Sequence, residues 1–167
     1  VTKLVAPGEA GRVVVVSGLG DTADAASVRL AAGAGVRALA TAASVAVATP
    51  ADVDVETVAA ALEGAGLGAY AYTRYREAPA GPSRIVLHAA HDADAIGLDR
   101  VRATVAAVSR ARDLVNDAPN DLPPAVLAEL AAEAASAVGI GVRVLDEQAL
   151  TAEGFAGILA VGGGSSR

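Results

Sequence analysis

A run of four valines that leads into a glycine-rich turn is the feature that most restricts how this chain can fold. Val13–Val16 begins the stretch VVVVSGLGDTA. A continuous β-branched run predicts a strand that is buried on both faces, as in a sheet covered by helices on each side. Asp21, Thr22 or Asp24 can cap a helix directly after the turn, so the stretch predicts a strand–turn–helix unit of an α/β fold.

The same turn has the outline of a dinucleotide-binding loop, because Gly18 begins a Gly-x-Gly-x-x-Ala pattern. Such loops work by bringing a pyrophosphate to a helix N-terminus. Here Asp21 and Asp24 lie where the phosphates would bind, and two carboxylates repel a further anion. No acidic residue follows at the end of the next predicted strand, SVAVATPA. The sequence therefore favours a plain strand–turn–helix over a nucleotide site.

The alternation of strands and helices continues up to about residue 98. Ser44–Ala48 and Ile85–Leu87 are predicted strands, and Asp54 is a predicted cap of the helix between them. That helix carries glycines at residues 64, 66 and 68. Each costs about 1 kcal/mol relative to alanine in a helix interior. Their presence predicts that neighbouring backbones approach this helix closely.

A long helix is predicted from Asp99, and it ends in the Pro/Asn-rich stretch NDAPNDLPP. Pro123 or Pro124 can occupy the first turn of the next helix. Beyond it, Val142 and Val144 predict a strand, Asp146 a capped short helix, and Gly157–Val161 a further strand.

Composition excludes several classes of function. The chain has no cysteine, which rules out disulfides, thiolate metal sites and thiol nucleophiles. Its net charge of −6 disfavours binding to duplex nucleic acid. It contains neither a signal-like start nor an apolar run of about 18 residues, so we expect a cytoplasmic protein with no membrane partner.

Side chains that could carry chemistry are few. His88, His91, Asp92 and Asp94 fall within seven residues after a predicted strand and could be drawn as a metal site. A loop at a strand end lacks the rigid positioning that such a site needs, so solvated loop residues are the better interpretation.

Three aspartates and three tyrosines have similarly ordinary interpretations. The aspartates follow at intervals of four, but the prolines interrupt the helix that would align them, which favours capping and loop roles. The tyrosines are predicted to pack at the end of the glycine-rich helix. We therefore assign no catalytic, cofactor-binding or metal-binding residue. The three aspartates are Asp113, Asp117 and Asp121, and the three tyrosines are Tyr70, Tyr72 and Tyr75.

Four segments resemble the leucyl (cytosol) aminopeptidase family, in the family's order. ARDLVNDAPNDLPP at 111–124 is similar to the family's ARDLVNTPPNDLTP, with Asp117, Ala118 and Pro123 as departures. VRVLDEQALTAEGFAGILAVGGGSSR at 142–167 resembles VEVLDEKELEELGMGALLAVGQGSARPP. VVVVSGLGD resembles the family's VGLGK strand, and LEGAGLGAYAYTRY at 62–75 resembles EGLLLGAYRFDRY.

The resemblance implies a hexameric exopeptidase that removes N-terminal residues from peptides. Two divalent metals (Zn, Mn or Mg) would polarise the scissile carbonyl and supply a hydroxide nucleophile. The family's metal-binding and catalytic residues lie in motifs resembling GKGITFDSGGISLKP and NTDAEGR, which this chain does not contain. Its one lysine, Lys3, is far from any such motif. The expectation is that this chain binds neither metal and ends, at Arg167, before the catalytic machinery.

The fold implied by the resemblance is α/β, with a macro-domain-like mixed sheet flanked by helices. It divides into an N-terminal domain over 1–98 that lacks its first elements, a connecting helix and junction loop over 99–122, and the first α/β elements of a truncated catalytic domain over 123–167. Expected roles are oligomerisation and scaffolding, with the missing catalytic domain or a complementary chain as partner. The alternative is a freestanding macro-type module that binds ADP-ribose.

Overall fold

The computed structural model describes residues 2–5, 13–75, 77 and 81–164. The chain divides into two compact units, residues 1–116 and 117–167. The elements of the first unit are β1 (Thr2–Val5), β2 (Val13–Val16), α1 (Ala25–Arg37), β3 (Ser44–Ala48), α2 (Val55–Ala69), β4 (Arg84–His88), α3 (Ala93–Ile96) and α4 (Leu98–Asn116).

The described strands form two small sheets. β1 and β2 are antiparallel, with Thr2 opposite Val16. β3 and β4 are parallel, with Ser44 opposite Arg84, and α2 lies between them in the chain as the crossover helix. The predicted α/β class is therefore confirmed as a mixed arrangement of short strands with helices.

Aspartates begin α1 and α2, as the sequence predicts. Asp24 accepts a hydrogen bond from the Ser27 N–H at 2.8 Å, and Asp54 accepts one from the Thr57 N–H at the same distance. Each carboxylate satisfies a backbone donor that has no partner inside its helix. Of the three predicted caps for α1, Asp24 is the residue that serves.

The alternating glycines of α2 are required on two opposite faces of that helix. A Cβ on Gly64 would collide with the carbonyl oxygen of Arg29 in α1, and one on Gly68 would collide with that of Gly33. Gly66 faces the other way, where a Cβ would lie 2.8 Å from a methyl group of Val105 in α4. The predicted close approach is thus confirmed: α1 and α4 both contact α2 nearly at its backbone.

The core of the first unit forms where α1, α2 and β3 meet. Val36, Val45 and Ala65 are buried there, and Ile85 of β4 packs against them. β2 does not share this environment. Val13, Val14 and Val16 are 42–54% exposed, so the prediction of a strand buried on both faces is wrong for the described structure. The physical reason is that, among the described strands, β2 pairs only with β1, which leaves its other edge without a neighbouring strand. Val15 is half-buried.

The second unit contains three helices among its described residues, 117–164. They are α5 (Pro124–Ser136), α6 (Glu147–Ala152) and α7 (Ala156–Gly162). Pro124 occupies the first turn of α5 and Asp146 caps α6, both as predicted. No described residue of this unit is buried.

Both strands predicted for the second unit are wrong. Val142 and Val144 lie in irregular backbone, and the whole Gly157–Val161 segment lies within α7. A short apolar run fits a buried strand or a helix equally well by periodicity. A strand also needs a neighbouring strand to accept its hydrogen bonds, and residues 117–164 contain none. A helix satisfies those groups within the segment.

Candidate functional site

A set of polar contacts between distant parts of the chain lies where the end of α2 meets the end of α4. Tyr70 directly follows α2, and its hydroxyl donates to Asp113 Oδ1 at 2.8 Å. The same hydroxyl accepts a hydrogen bond from Asn116 Nδ2 at 3.3 Å. Together with Arg112, these residues are called the junction cluster below.

Arg112 reaches the end of α2 in two ways. Its guanidinium carbon lies 4.0 Å from the centroid of the Tyr70 ring, within cation–π range. Its Nη1 donates to the Leu67 carbonyl at 3.2 Å. Leu67 is in the last turn of α2, where carbonyls have no partner inside the helix and the dipole is negative. Because α2 has no basic residue in its own last turn, Arg112 supplies that charge from α4.

The electrostatics of the cluster keep Tyr70 a hydrogen-bond donor. Burial raises the pKa of the Tyr70 hydroxyl, and its hydrogen bond to Asp113 raises that pKa further. Asn116 Nδ2 also donates to the Arg112 carbonyl at 2.8 Å, which links two members of the cluster one turn apart near the end of α4. The arrangement holds two helix ends together and contains no activated nucleophile.

The sequence analysis did not identify the junction cluster. Asp113 lies within the predicted long helix, as α4 confirms. The capping or loop interpretation of the three aspartates did not foresee that Asp113 accepts from Tyr70. Packing of Tyr70 at the end of the glycine-rich helix is confirmed, but its polar partners were missed. The available signal was the spacing of Arg112, Asp113 and Asn116, which places a donor, an acceptor and an amide within one helical turn and a half.

The histidine-containing segment is only partly a loop. His88 is the last residue of β4 and is exposed, whereas His91 is half-buried with Nε2 2.9 Å from the Val53 carbonyl oxygen. Asp92 and Asp94 lie at the start of the short helix α3. Among the described residues, no three His, Asp or Glu side chains come together as a group that could hold a metal ion. The donors present here therefore do not fit the two metals that the resemblance implies.

The turn after β2 forms the predicted strand–turn–helix unit. Gly20 has φ of +77°, a conformation that favours glycine, and a cavity of about 320 Å³ lies beside the turn. The backbone N–H of Ser27, followed by its hydroxyl, lowers the pKa of the Asp24 carboxyl. A carboxylate thus already occupies the anion-binding end of α1, which opposes the binding of a phosphate at that position.

Two models of one protein family match the chain. The model described as "Cytosol aminopeptidase family, N-terminal domain" matches residues 1–79, and "Cytosol aminopeptidase family, catalytic domain" matches residues 109–167. Tyr70 belongs to the first match, and Arg112, Asp113 and Asn116 belong to the second. The junction cluster therefore joins the segments that the two models cover.

Similar proteins point to the same family. The chain is 42% identical over 114 residues to a probable cytosol aminopeptidase of Streptomyces avermitilis, covering 62% of this chain and 22% of that protein. It is 47% identical over 116 residues to the one of Micrococcus luteus, covering 63% of this chain and 22% of that protein. The chain thus spans about a fifth of the length of these relatives.

Two solved structures have similar folds. The bottromycin maturation enzyme BotP in complex with Mn superimposes with a TM-score of 0.80 at 31% identity, covering 99% of this chain and 37% of that chain. A second structure of the bottromycin maturation enzyme BotP superimposes with a TM-score of 0.81 at 32% identity, covering 99% of this chain and 38% of that chain.

Proposed function

The chain belongs to the cytosol aminopeptidase family, and we propose that it forms the N-terminal scaffold and the start of the catalytic domain of a metal-dependent exopeptidase. The complete enzyme releases N-terminal amino acids from peptides in the cytoplasm. This portion supplies no catalytic residue and no metal ligand. Its own role is to build the N-terminal unit and to fix the helix that leads into the catalytic domain.

The junction cluster is the observation that supports this role best. Asp113 and Asn116 bind the Tyr70 hydroxyl, and Arg112 binds the last turn of α2. α2 in turn contacts α1 through Gly64 and Gly68. The last turns of α4 are therefore held by several directional contacts rather than by apolar packing alone, which favours one orientation of the helix.

Oligomerisation is part of the same proposal. Val13, Val14 and Val16 on β2 are exposed, as is Val115 at 84% near the end of α4. Exposed apolar side chains of this kind are typical of surfaces that become covered in an assembly. We propose a homo-oligomer, with the hexamer of the family as the expected form and with peptides as substrates of the complete enzyme.

A chimeric enzyme tests the scaffold proposal. The region of the Streptomyces avermitilis relative that corresponds to residues 1–167 of this chain is replaced by those residues. Hydrolysis of leucyl-p-nitroanilide is then measured with Mn²⁺. We expect kcat/KM within about tenfold of the parent enzyme, since the replaced segment carries no catalytic group. The Arg112→Ala chimera should lose activity, whereas Arg100→Ala, an exposed change in the same helix, should not.

An inactive chimera that nevertheless folds and assembles like the parent would contradict the proposal. So would an Arg112→Ala chimera with full activity and an unchanged melting temperature, because the junction cluster would then fix nothing that catalysis needs. Size-exclusion chromatography with light scattering gives the oligomeric state of both chimeras. A monomeric chimera with full activity would refute the oligomerisation role specifically.

A further inference from the structure

The hydrogen bond between Tyr70 and Asp113 depends on one proton. The Tyr70 hydroxyl oxygen lies 2.8 Å from Asp113 Oδ1. An ionised carboxylate has no proton to donate, so the proton of this bond belongs to the tyrosine. The same hydroxyl oxygen accepts a hydrogen bond from Asn116 Nδ2 at 3.3 Å. Loss of the proton therefore removes the bond to Asp113 and places a second negative charge directly beside its carboxylate.

Tyr70 loses this proton only at alkaline pH. Burial raises the pKa of its hydroxyl most, and the hydrogen bond to Asp113 raises that pKa further. The hydrogen bond from Asn116 lowers the pKa more weakly. Among the described residues, the charged groups that act on the hydroxyl are Asp113, which raises its pKa, and Arg112, which lowers it. Because the ordinary pKa of tyrosine is about 10, the hydroxyl is protonated at neutral pH and ionises above that value.

The other contacts between α2 and α4 do not depend on the tyrosine proton. Arg112 Nη1 donates to the Leu67 carbonyl at 3.2 Å, and its guanidinium stays charged throughout the alkaline range. Gly66 of α2 faces Val105 of α4, where the packing is apolar. Ionisation of Tyr70 therefore weakens the contact at the ends of the two helices and leaves the rest of their interface in place.

We propose that the junction cluster is a pH-sensitive contact, closed while the Tyr70 hydroxyl carries its proton and open once that hydroxyl has ionised. In the open state the end of α2 no longer holds the last turn of α4, residues 113–116. Repulsion between the tyrosinate and the Asp113 carboxylate drives the opening. The inference rests on the proposed function in one respect, namely that the released helix end is the one that leads into the catalytic domain. The contact itself forms within the first unit.

The composition of the chain makes this contact accessible to titration. The chain contains three tyrosines, one lysine and no cysteine. Arginine keeps its charge, and aspartate, glutamate and histidine have ordinarily lost their protons at about pH 9. The tyrosines and Lys3 are therefore the side chains that titrate between about pH 9 and about pH 11.5. Replacing one tyrosine at a time by phenylalanine assigns the pH dependence to individual hydroxyls.

Urea unfolding of the purified 167-residue chain, followed by circular dichroism, tests the proposal. At about pH 9 the ratio of folded to unfolded protein should be about fivefold higher for wild type than for Tyr70→Phe, because the variant lacks the hydrogen bond. A raised folded pKa stabilises the fold fully below the unfolded pKa of about 10, and that stabilisation is lost as the pH rises through the folded value. The advantage of wild type should therefore disappear at about pH 11.5.

Tyr75→Phe is the matched control, because Tyr75 is 50% exposed and is not a member of the junction cluster. Its stability relative to wild type should change by less than about twofold over the same pH range. A wild-type advantage over Tyr70→Phe that persists at the highest pH would overturn the proposal. So would a Tyr75→Phe variant with the same pH dependence as Tyr70→Phe.

Ultraviolet absorbance of tyrosinate measures the ionisation itself. The difference between the titration curves of wild type and Tyr70→Phe isolates the Tyr70 hydroxyl, first in buffer and then in concentrated urea. We expect a midpoint at higher pH in the folded chain than in the unfolded chain, and we expect Asp113→Asn to lower the folded midpoint. Equal midpoints in buffer and in urea, or an unchanged midpoint in Asp113→Asn, would contradict the proposal. Because these measurements use the chain alone, their failure leaves the scaffold proposal standing, whereas an inactive chimera leaves the pH-sensitive contact standing.

Discussion

Replacing Gly64 by alanine should destabilise the first unit by about 2 kcal/mol. The added Cβ would lie 2.8 Å from the carbonyl carbon of Arg29 and closer still to its oxygen. These are backbone atoms of α1, which cannot rotate away, so the helices must separate. Overpacking of this kind costs about 1–3 kcal/mol. We expect the cost of Gly64→Ala to lie at or above the upper end of that range, because the contacted atoms belong to a backbone. The gain in helix propensity returns about 1 kcal/mol.

Gly35→Ala is the matched control for this substitution. Its Cβ would lie 3.3 Å from the Ser17 hydroxyl oxygen, a side-chain atom that can move. The propensity gain should then dominate, leaving stability unchanged or increased by up to about 1 kcal/mol.

Tyrosine fluorescence during urea unfolding measures both variants. All three tyrosines lie in the first unit and the chain has no tryptophan, so the signal reports that unit alone. The expected loss for Gly64→Ala corresponds to about a 30-fold change in the ratio of folded to unfolded protein. A Gly64→Ala variant as stable as wild type, or more stable than Gly35→Ala, would refute the close contact between α1 and α2.

Three further predictions concern the junction cluster, the helix caps and the turn after β2. Tyr70→Phe should cost about 1 kcal/mol in urea unfolding, monitored by circular dichroism, and should speed exchange of the amides in the last turn of α4, whereas an unchanged exchange pattern would contradict the cluster. The N–H groups of Ser27 and Thr57 lower the pKa of the Asp24 and Asp54 carboxyls in the folded state. The two ionised caps therefore stabilise the fold fully above the unfolded pKa of about 4, and this stabilisation is lost as the pH falls through the folded pKa. Asp24→Asn and Asp54→Asn, which keep the cap, should therefore flatten the fall in melting temperature below pH 4, and an unaltered acid slope would argue against these caps. Calorimetric titration with ADP-ribose should give no binding, and micromolar affinity would instead favour the macro-type module.

Local signals in the sequence predict the helices of this fold well. Asp24, Asp54 and Asp146 each begin a helix because a short acidic side chain can satisfy a free N–H at close sequence distance. The glycines of α2 also predict a close neighbouring backbone, because alanine would otherwise be the better helix residue at these positions. Such features depend on residues within one or two turns of each other.

Features that depend on distant partners are not predicted. Whether Gly157–Val161 forms a strand or a helix depends on the presence of a neighbouring strand, which the segment itself does not encode. The Tyr70–Asp113 hydrogen bond joins residues 43 positions apart, so only the fold brings them together. The domain boundaries at 98 and 122 stay a prediction. Along the chain, the division into compact units falls between residues 116 and 117.

Several apolar side chains of the second unit are exposed. No described residue of the second unit is buried, and Ile158 and Val161 of α7 are 58% and 89% exposed. Within the described residues, none of the helices combines the length and apolar character needed to cross a membrane. We propose that the remainder of a catalytic domain covers α7.

We propose that these 167 residues form scaffold and that the catalytic machinery of their family lies outside them. The most direct measurement is release of p-nitroaniline from leucyl-p-nitroanilide by the purified chain, with Mn²⁺, Zn²⁺ or Mg²⁺ added in turn. We expect a rate equal to that of each metal solution without protein. Hydrolysis that elutes with the chain on size exclusion and disappears on addition of a chelator would contradict it.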